Sequence, residues 1–156
     1  SDTAVVYPAQ GDKFALGEAE FTILSPASAS NEDMNENSII LRLVYKETSA
    51  VFTGDAGEIS ESEVIEAFGA SSLKSDVLKV GHHGSSSSTS VRFLQAIQPE
   101  FAVISCEKNN DYGHPHGLTL RKLADIDALI LRTDISGTIT LISDGKEFIY
   151  VGKTED

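Results

Sequence analysis

All four histidines of this 156-residue chain stand in two short loops, Gly81-His82-His83-Gly84-Ser85 and Tyr112-Gly113-His114-Pro115-His116, each of which follows a short apolar run. A third loop, Thr53-Gly54-Asp55, closes the apolar run 50–52 in the same way. Imidazole and carboxylate are the usual ligands of zinc and similar divalent ions, and the same groups move protons during hydrolysis. Histidines beside glycine are often plain turn residues. With every histidine of the chain so placed, the pattern points instead to a metal or hydrolytic site.

Each loop offers different chemistry. Gly54 permits a tight turn that aims the Asp55 oxygens into a cleft, and one carboxylate can bridge two cations in a two-metal hydrolase. In isolation, Asp55 would equally suit a turn residue capping the next helix. His82 and His83 are adjacent, so at most one addresses a given metal; His83 is the expected ligand, while His82 contacts substrate. Ser85 is placed to donate to a substrate oxygen or to support a ligand. In an extended H-x-H segment His114 and His116 lie on one face, where they could chelate, donate a proton to a leaving group or touch a transferred phosphoryl group. The catalytic assignment is to that pair. Tyr112 is expected to bind substrate, by stacking or by donating from its hydroxyl. There is no G-x-S-x-G elbow, phosphate-binding glycine loop or cysteine cluster. Cys106 is the only cysteine, which excludes an intrachain disulfide, and it reads as a half-buried structural thiol.

The elements that must hold these loops are strands first, then alternating strands and helices. Runs at 3–7, 14–16 and 20–25 read as strands, 27–36 as a polar loop, and 38–45 with 50–53 as a hairpin buried on both faces. From Ser60 the period lengthens, and Ser60 with Glu63 has capping-box spacing at the start of a helix that Gly69 can end. Strands follow at 76–80, 101–105 and 128–132, and helices from Val91 to before Pro99 and at 118–124. Ser85 to Ser90 reads as a mobile loop beside the site, and a last hairpin pairs 138–143 with 147–151 across Asp144-Gly145. The fold class is therefore α/β of the α+β sandwich type, a mixed β-sheet flanked by helices. Loops at the carboxyl ends of strands are where such folds place their chemistry.

Length allows one domain with one sizeable core. The 24 acidic and 12 basic side chains give a formal net charge of −12, which repels phosphate backbones and excludes tight nucleic-acid binding without bound cations or help from another segment. No stretch approaches the ~18 apolar residues of a membrane span and no signal-peptide pattern is present, so the expectation is a soluble piece.

Five segments occur here in the order of a known family: Asn37-Ser38-Ile39-Ile40-Leu41-Arg42-Leu43; Phe52-Thr53-Gly54-Asp55; Asp76-Val77-Leu78-Lys79-Val80-Gly81-His82-His83-Gly84-Ser85; Tyr112-Gly113-His114-Pro115-His116; and Leu131-Arg132-Thr133-Asp134 with Gly137-Thr138-Ile139. From about Asp12 onward the chain resembles the C-terminal half of the metallo-β-lactamase-fold domain of ComEC-type competence proteins and their free-standing hydrolase relatives. The resemblance implies that residues 1–156 are a single partial domain, the C-terminal half of an αββα fold. It implies two divalent metal ions, zinc or manganese, in the intact parent, with Asp55 as bridging ligand, His83 as another, and His114 and His116 facing substrate. Asn37 stands where many relatives in the wider fold carry a ligand histidine, although the ComEC-like group tends to carry asparagine there.

One departure matters. The H-x-H-x-D-H motif that supplies most of the family's metal ligands is absent from these residues. The expectation is that it precedes Thr3 in the parent, so that this truncated piece is inactive alone, has the missing N-terminal half as its partner, and self-associates through an uncovered sheet. The implied activity of the parent is hydrolysis of phosphodiester bonds by a metal-bound hydroxide, with DNA taken up in competence as substrate. A secreted esterase acting on a phosphoester such as choline phosphate, and a noncatalytic interaction module, are the alternative readings. The parent is expected at the cell envelope, membrane-associated, or secreted.

Overall fold

Period-two alternation gives way to helical spacing near residue 58, and at that point the sheet changes from antiparallel to parallel. In the computed structural model, residues 5, 7–27 and 32–152 are described. Strands β1 (Lys13–Leu16), β2 (Ala19–Ser25), β3 (Ile40–Tyr45) and β4 (Thr48–Phe52) form an antiparallel meander. Helix α1 (Glu58–Phe68), β5 (Val77–Lys79), α2 (Val91–Ile97), β6 (Phe101–Ile104), α3 (Gly117–Ala124) and β7 (Leu129–Arg132) then alternate, with β4 to β7 parallel. The seven strands lie in chain order, giving a mixed α/β architecture. A single turn, α4 (Thr133–Ser136), leads to a separate hairpin, β8 (Thr140–Ser143) and β9 (Phe148–Val151).

Strands added always on the same side, through crossovers of one hand, put every connecting helix on one face of the sheet. On that face Leu24, Ile40, Val51, Leu78, Ala102 and Ile104 pack against Val64, Phe93, Leu94, Ile97 and Leu123 from α1, α2 and α3. The opposite face presents Leu43, Ala50, Val77, Phe101, Val103 and Leu131, and the β8–β9 hairpin covers these with Ile139, Leu141, Phe148 and Tyr150. Beyond the hairpin this face is open. Phe14, Ile39 and Phe52 are exposed, and cavities of about 500 and 610 Å³ are floored by residues of β1 to β6.

Several local expectations are corrected. Helix α1 starts at Glu58 rather than Ser60, with Gly57 as its cap, and no capping box forms. The Ser60 amide and hydroxyl instead donate to Glu36 Oε2 at 2.8 and 2.6 Å, so a distant carboxylate satisfies the first turn. The polar stretch 27–36 leads into a 3₁₀ turn at Met34–Asn37. Strand β3 is half-buried rather than buried on both faces, because part of one face has no cover. The serine loop is packed: Ser85, Ser88 and Thr89 are buried, and Ser88 Oγ donates to Gly81 O at 2.9 Å. Of the strand expected at 3–7, residues 3, 4 and 6 lie outside the described residues. Among the described residues no helix is long and apolar enough to cross a membrane.

Candidate functional site

Because β4, β5 and β6 are parallel, the loops that leave them gather at one edge of the sheet. Backbone contacts fix their mutual position. Thr53 Oγ1 donates to Lys79 O at 2.8 Å, and the His82 amide donates to Gly54 O at 3.1 Å. Gly54 has φ +53°, and the turn it makes brings the Asp55 amide to 3.3 Å from Ser38 Oγ.

The second loop is strained. His82 (φ 44°, ψ 47°) and His83 (φ 55°, ψ 21°) both occupy the left-handed region, which costs a side-chain-bearing residue roughly 1–3 kcal/mol each. Their rings are thereby turned to the sheet edge. His83 Nδ1 lies 2.6 Å from Ser105 O; a carbonyl only accepts, so Nδ1 carries a proton, and Nε2 is the nitrogen whose lone pair the neutral ring would offer a metal. That Nε2 stands 3.4 Å from Asp55 Oδ1. The His82 ring meets the His114 ring edge-on at 5.6 Å.

The third loop is clamped onto the second. A Cβ at Gly84 would stand 2.5 Å from Pro115 Cβ, so only glycine allows this approach, and the His116 amide donates to Gly84 O at 2.9 Å. Both His116 nitrogens are engaged within the protein: Nδ1 accepts from the Ser86 amide at 2.9 Å, which leaves Nε2–H to donate to Tyr112 O at 3.2 Å. Ser85 is likewise committed, its hydroxyl 3.0 Å from Ser87 Oγ and its carbonyl accepting from Thr119 Oγ1 at 2.9 Å. In this arrangement the polar atoms of His116 and Ser85 take part in holding the loops together. Asn110 anchors the other side of the loop, donating to Glu107 O and His114 O at 2.8 and 2.7 Å and accepting from the His114 amide at 3.0 Å. Tyr112, exposed, stacks on His114 with centroids 5.7 Å apart and planes 22° from parallel.

Asp55, His82, His83, Tyr112 and His114 line a cavity of about 230 Å³. Beside it, His83, Cys106, Glu107, Asn110, Tyr112 and His114 line another of about 190 Å³. The larger cavities belong to the open sheet face. Burial, followed by the neighbouring His116, His82 and His83, holds the His114 pKa below the ordinary imidazole value, against the pull of Asp55. The neutral ring is therefore the favoured form at neutral pH. Asp55 and His83 fit a metal in ring tautomer and in mutual approach, but among the described residues no three His, Cys, Asp or Glu side chains converge to hold one. Two donors fall short of the usual four-coordinate site, so the described residues by themselves do not make up a full ligand set.

Three participants were missed from sequence. Lys79 stands below the loops, half-buried, with Nζ donating to Val80 O at 2.7 Å. Burial lowers its pKa, and Asp55 and Cys106 act in the opposite direction. A lysine interrupting the apolar run Val77-Leu78-Lys79-Val80 was the available signal. The buried Glu61 carboxylate accepts from the Thr89 and Ser90 amides and so closes the amino end of α2. The triple hydrogen bonding of Asn110 had no sequence signature beyond its place in a polar loop.

No family model matches the chain. It is 41% identical over 130 residues, 83% of its length, to ComE operon protein 3 of Bacillus subtilis (strain 168), and 37% identical over 120 residues, 77% of its length, to Competence protein ComA of Neisseria gonorrhoeae. The chain belongs with the ComEC-type competence proteins. Recombination protein 2 of Haemophilus influenzae is a further relative, 33% identical over 119 residues. The matched stretch makes up only 16%, 17% and 15% of these relatives' own lengths, so the chain corresponds to one segment of a ComEC-type protein.

Proposed function

We propose that this chain is the C-terminal part of a metallo-β-lactamase-type hydrolase domain in a ComEC-type parent, and that the parent cleaves phosphodiester bonds of DNA during uptake. The observation that carries the reading is the approach of His83 Nε2 to Asp55 Oδ1 at 3.4 Å, with His83 Nδ1 anchored on Ser105 O and the His114 ring across the same small cleft. A carbonyl behind the far nitrogen is the arrangement that orients a metal-binding histidine. The remaining donors would come from the partner segment, the missing N-terminal half of the domain, which would also cover the open apolar face of the sheet. Two divalent ions, zinc or manganese, would supply an activated water near neutral pH.

The roles divide among this chain's residues. Asp55 and His83 contribute donors. His114 takes a proton from solvent and delivers it to the leaving oxygen as the P–O bond breaks, while His82 contacts the substrate from the edge of the His114 ring. His116 positions His114 by bonding the Ser86 amide and Tyr112 carbonyl.

Mutation of the parent tests this. Asp55→Ala should lower metal content and turnover together, and His114→Ala should leave metal content nearly intact while lowering turnover by roughly 10²- to 10⁴-fold. Loss of metal from His114→Ala to the same extent as from Asp55→Ala would show that the third loop coordinates metal. A noncatalytic interaction module is the second reading, favoured by the incomplete donor set of the described residues. A parent that holds no divalent metal and hydrolyses no phosphodiester would establish it.

A further inference from the structure

The outer face of Tyr112 is open to solvent. The residue is 78% exposed, a large apolar ring left in water at the mouth of the cleft. Its inner face lies on His114, centroids 5.7 Å apart and nearly parallel. Its position is fixed twice: its carbonyl accepts from His116 Nε2 at 3.2 Å, and two residues away Asn110 grips both the amide and the carbonyl of His114. A flat aromatic surface has thus been built in advance, one side supported and the other open. Such a surface binds another ring without an ordering cost at the moment of contact.

The surrounding charge says what kind of ligand this suits. Neither small cavity of the site has a lysine or arginine in its lining, and Asp55 and Glu107 are acidic. The whole chain carries a net charge of −12. The side chains lining these cavities do not neutralise phosphates, the contact that supplies most non-specific nucleic-acid binding elsewhere. What they offer a strand is contact with its bases. In a duplex the base faces are already stacked on one another, whereas a single strand presents them to any flat partner.

We infer that Tyr112, backed by His114, is a stacking platform for a nucleobase of a single-stranded nucleic acid entering the cleft, and so selects single strands over duplexes. This rests on the phosphodiesterase reading above and adds the form of the substrate. The ring on His114 bears on the base next to the reacting phosphate, which places the strand's register relative to His114.

The test uses the whole parent protein and fluorescence anisotropy with two labelled 12-nucleotide probes, oligodeoxyadenylate and an abasic strand of equal charge. Tyr112→Ala should weaken binding of the base-bearing strand by roughly 5- to 150-fold, the range for loss of one stacked base. The same variant should leave abasic binding unchanged, and Tyr112→Phe should bind like wild type, because the ring is kept and only the hydroxyl is lost. Since the side chain is exposed, circular dichroism should show both variants folded. Equal loss on both probes, an unchanged affinity of Tyr112→Ala for the base-bearing strand, or a wild-type protein that does not distinguish the probes would each overturn the inference. Wild-type discrimination between probes, lost in Tyr112→Ala, in a protein that cleaves neither the strand nor bis(4-nitrophenyl) phosphate would leave the platform standing and remove the hydrolase.

Discussion

Replacing Gly84 by alanine tests whether the second and third loops are clasped. The residue has φ +86°, and a Cβ there would stand 2.5 Å from Pro115 Cβ and 3.0 Å from Pro115 Cα. Two costs follow. A left-handed alanine loses roughly 1–3 kcal/mol, partly offset by ~0.4–1 kcal/mol gained from a stiffer unfolded chain. The overlap adds ~1–3 kcal/mol, because Pro115 is itself buried and must move. Gly113 supplies the control: its φ is +71°, yet nothing lies within 4 Å of its Cβ position, so Gly113→Ala carries the first cost without the second. The difference between the variants should therefore be ~1–3 kcal/mol, or roughly 2–12 °C in Tm for a chain of this length. Thermal and urea unfolding of the two variants measure it, with unchanged m-values showing that the denatured state is not responsible. In Gly84→Ala the Ser86 amide should also exchange faster, since it loses its His116 acceptor when the loops part. If Gly84→Ala is no less stable than Gly113→Ala, the contact between Gly84 and Pro115 is not a close one and the clasp is wrong.

Burial holds the Glu61 carboxyl above its ordinary pKa, against the Ser90 and Thr89 amides and the charge of Lys122. Its contribution to stability is thus full below the unfolded pKa and lost as pH rises through the folded one; subtracting the stability curve of Glu61→Gln from wild type should reveal that fall, and parallel curves would contradict it. Asn110→Ala removes the acceptor of the His114 amide, whose hydrogen exchange should quicken by roughly 2- to 13-fold, from ~0.5–1.5 kcal/mol per bond, while amides of β5 are unaffected. The open sheet face should drive self-association of the isolated chain, visible as mass rising with concentration in light scattering, and Phe14→Lys should suppress it; a monomer at every concentration would argue against exposure of that face.

Local chemistry determined most of the elements and the edge on which the loops meet. Short apolar or alternating runs marked β1 to β4, the change to helical spacing marked three strand-helix-strand units, and parallel strands leave their carboxyl-end loops on one side whatever the packing details. The histidines and Asp55 were visible because those residue types at strand ends have few other uses. What each ring does was decided in three dimensions. The His114 and His116 rings do lie together, centroids 4.8 Å apart, but the His116 nitrogens meet the Ser86 amide and the Tyr112 carbonyl, 30 and 4 residues away, while the His114 ring also meets His82. Ser60 and Glu63 have capping-box spacing, but Glu36, 24 residues earlier, reaches the helix first. Nothing along the chain marks Glu61, which is buried and accepts from two amides 28 and 29 residues later. Periodicity records which face of an element is wet, a property of neighbours along the chain. Hydrogen-bond partners separated by dozens of residues leave no period, since any amide can satisfy a carboxylate or an imidazole lone pair, and any carbonyl an imidazole N–H, that packing brings to it.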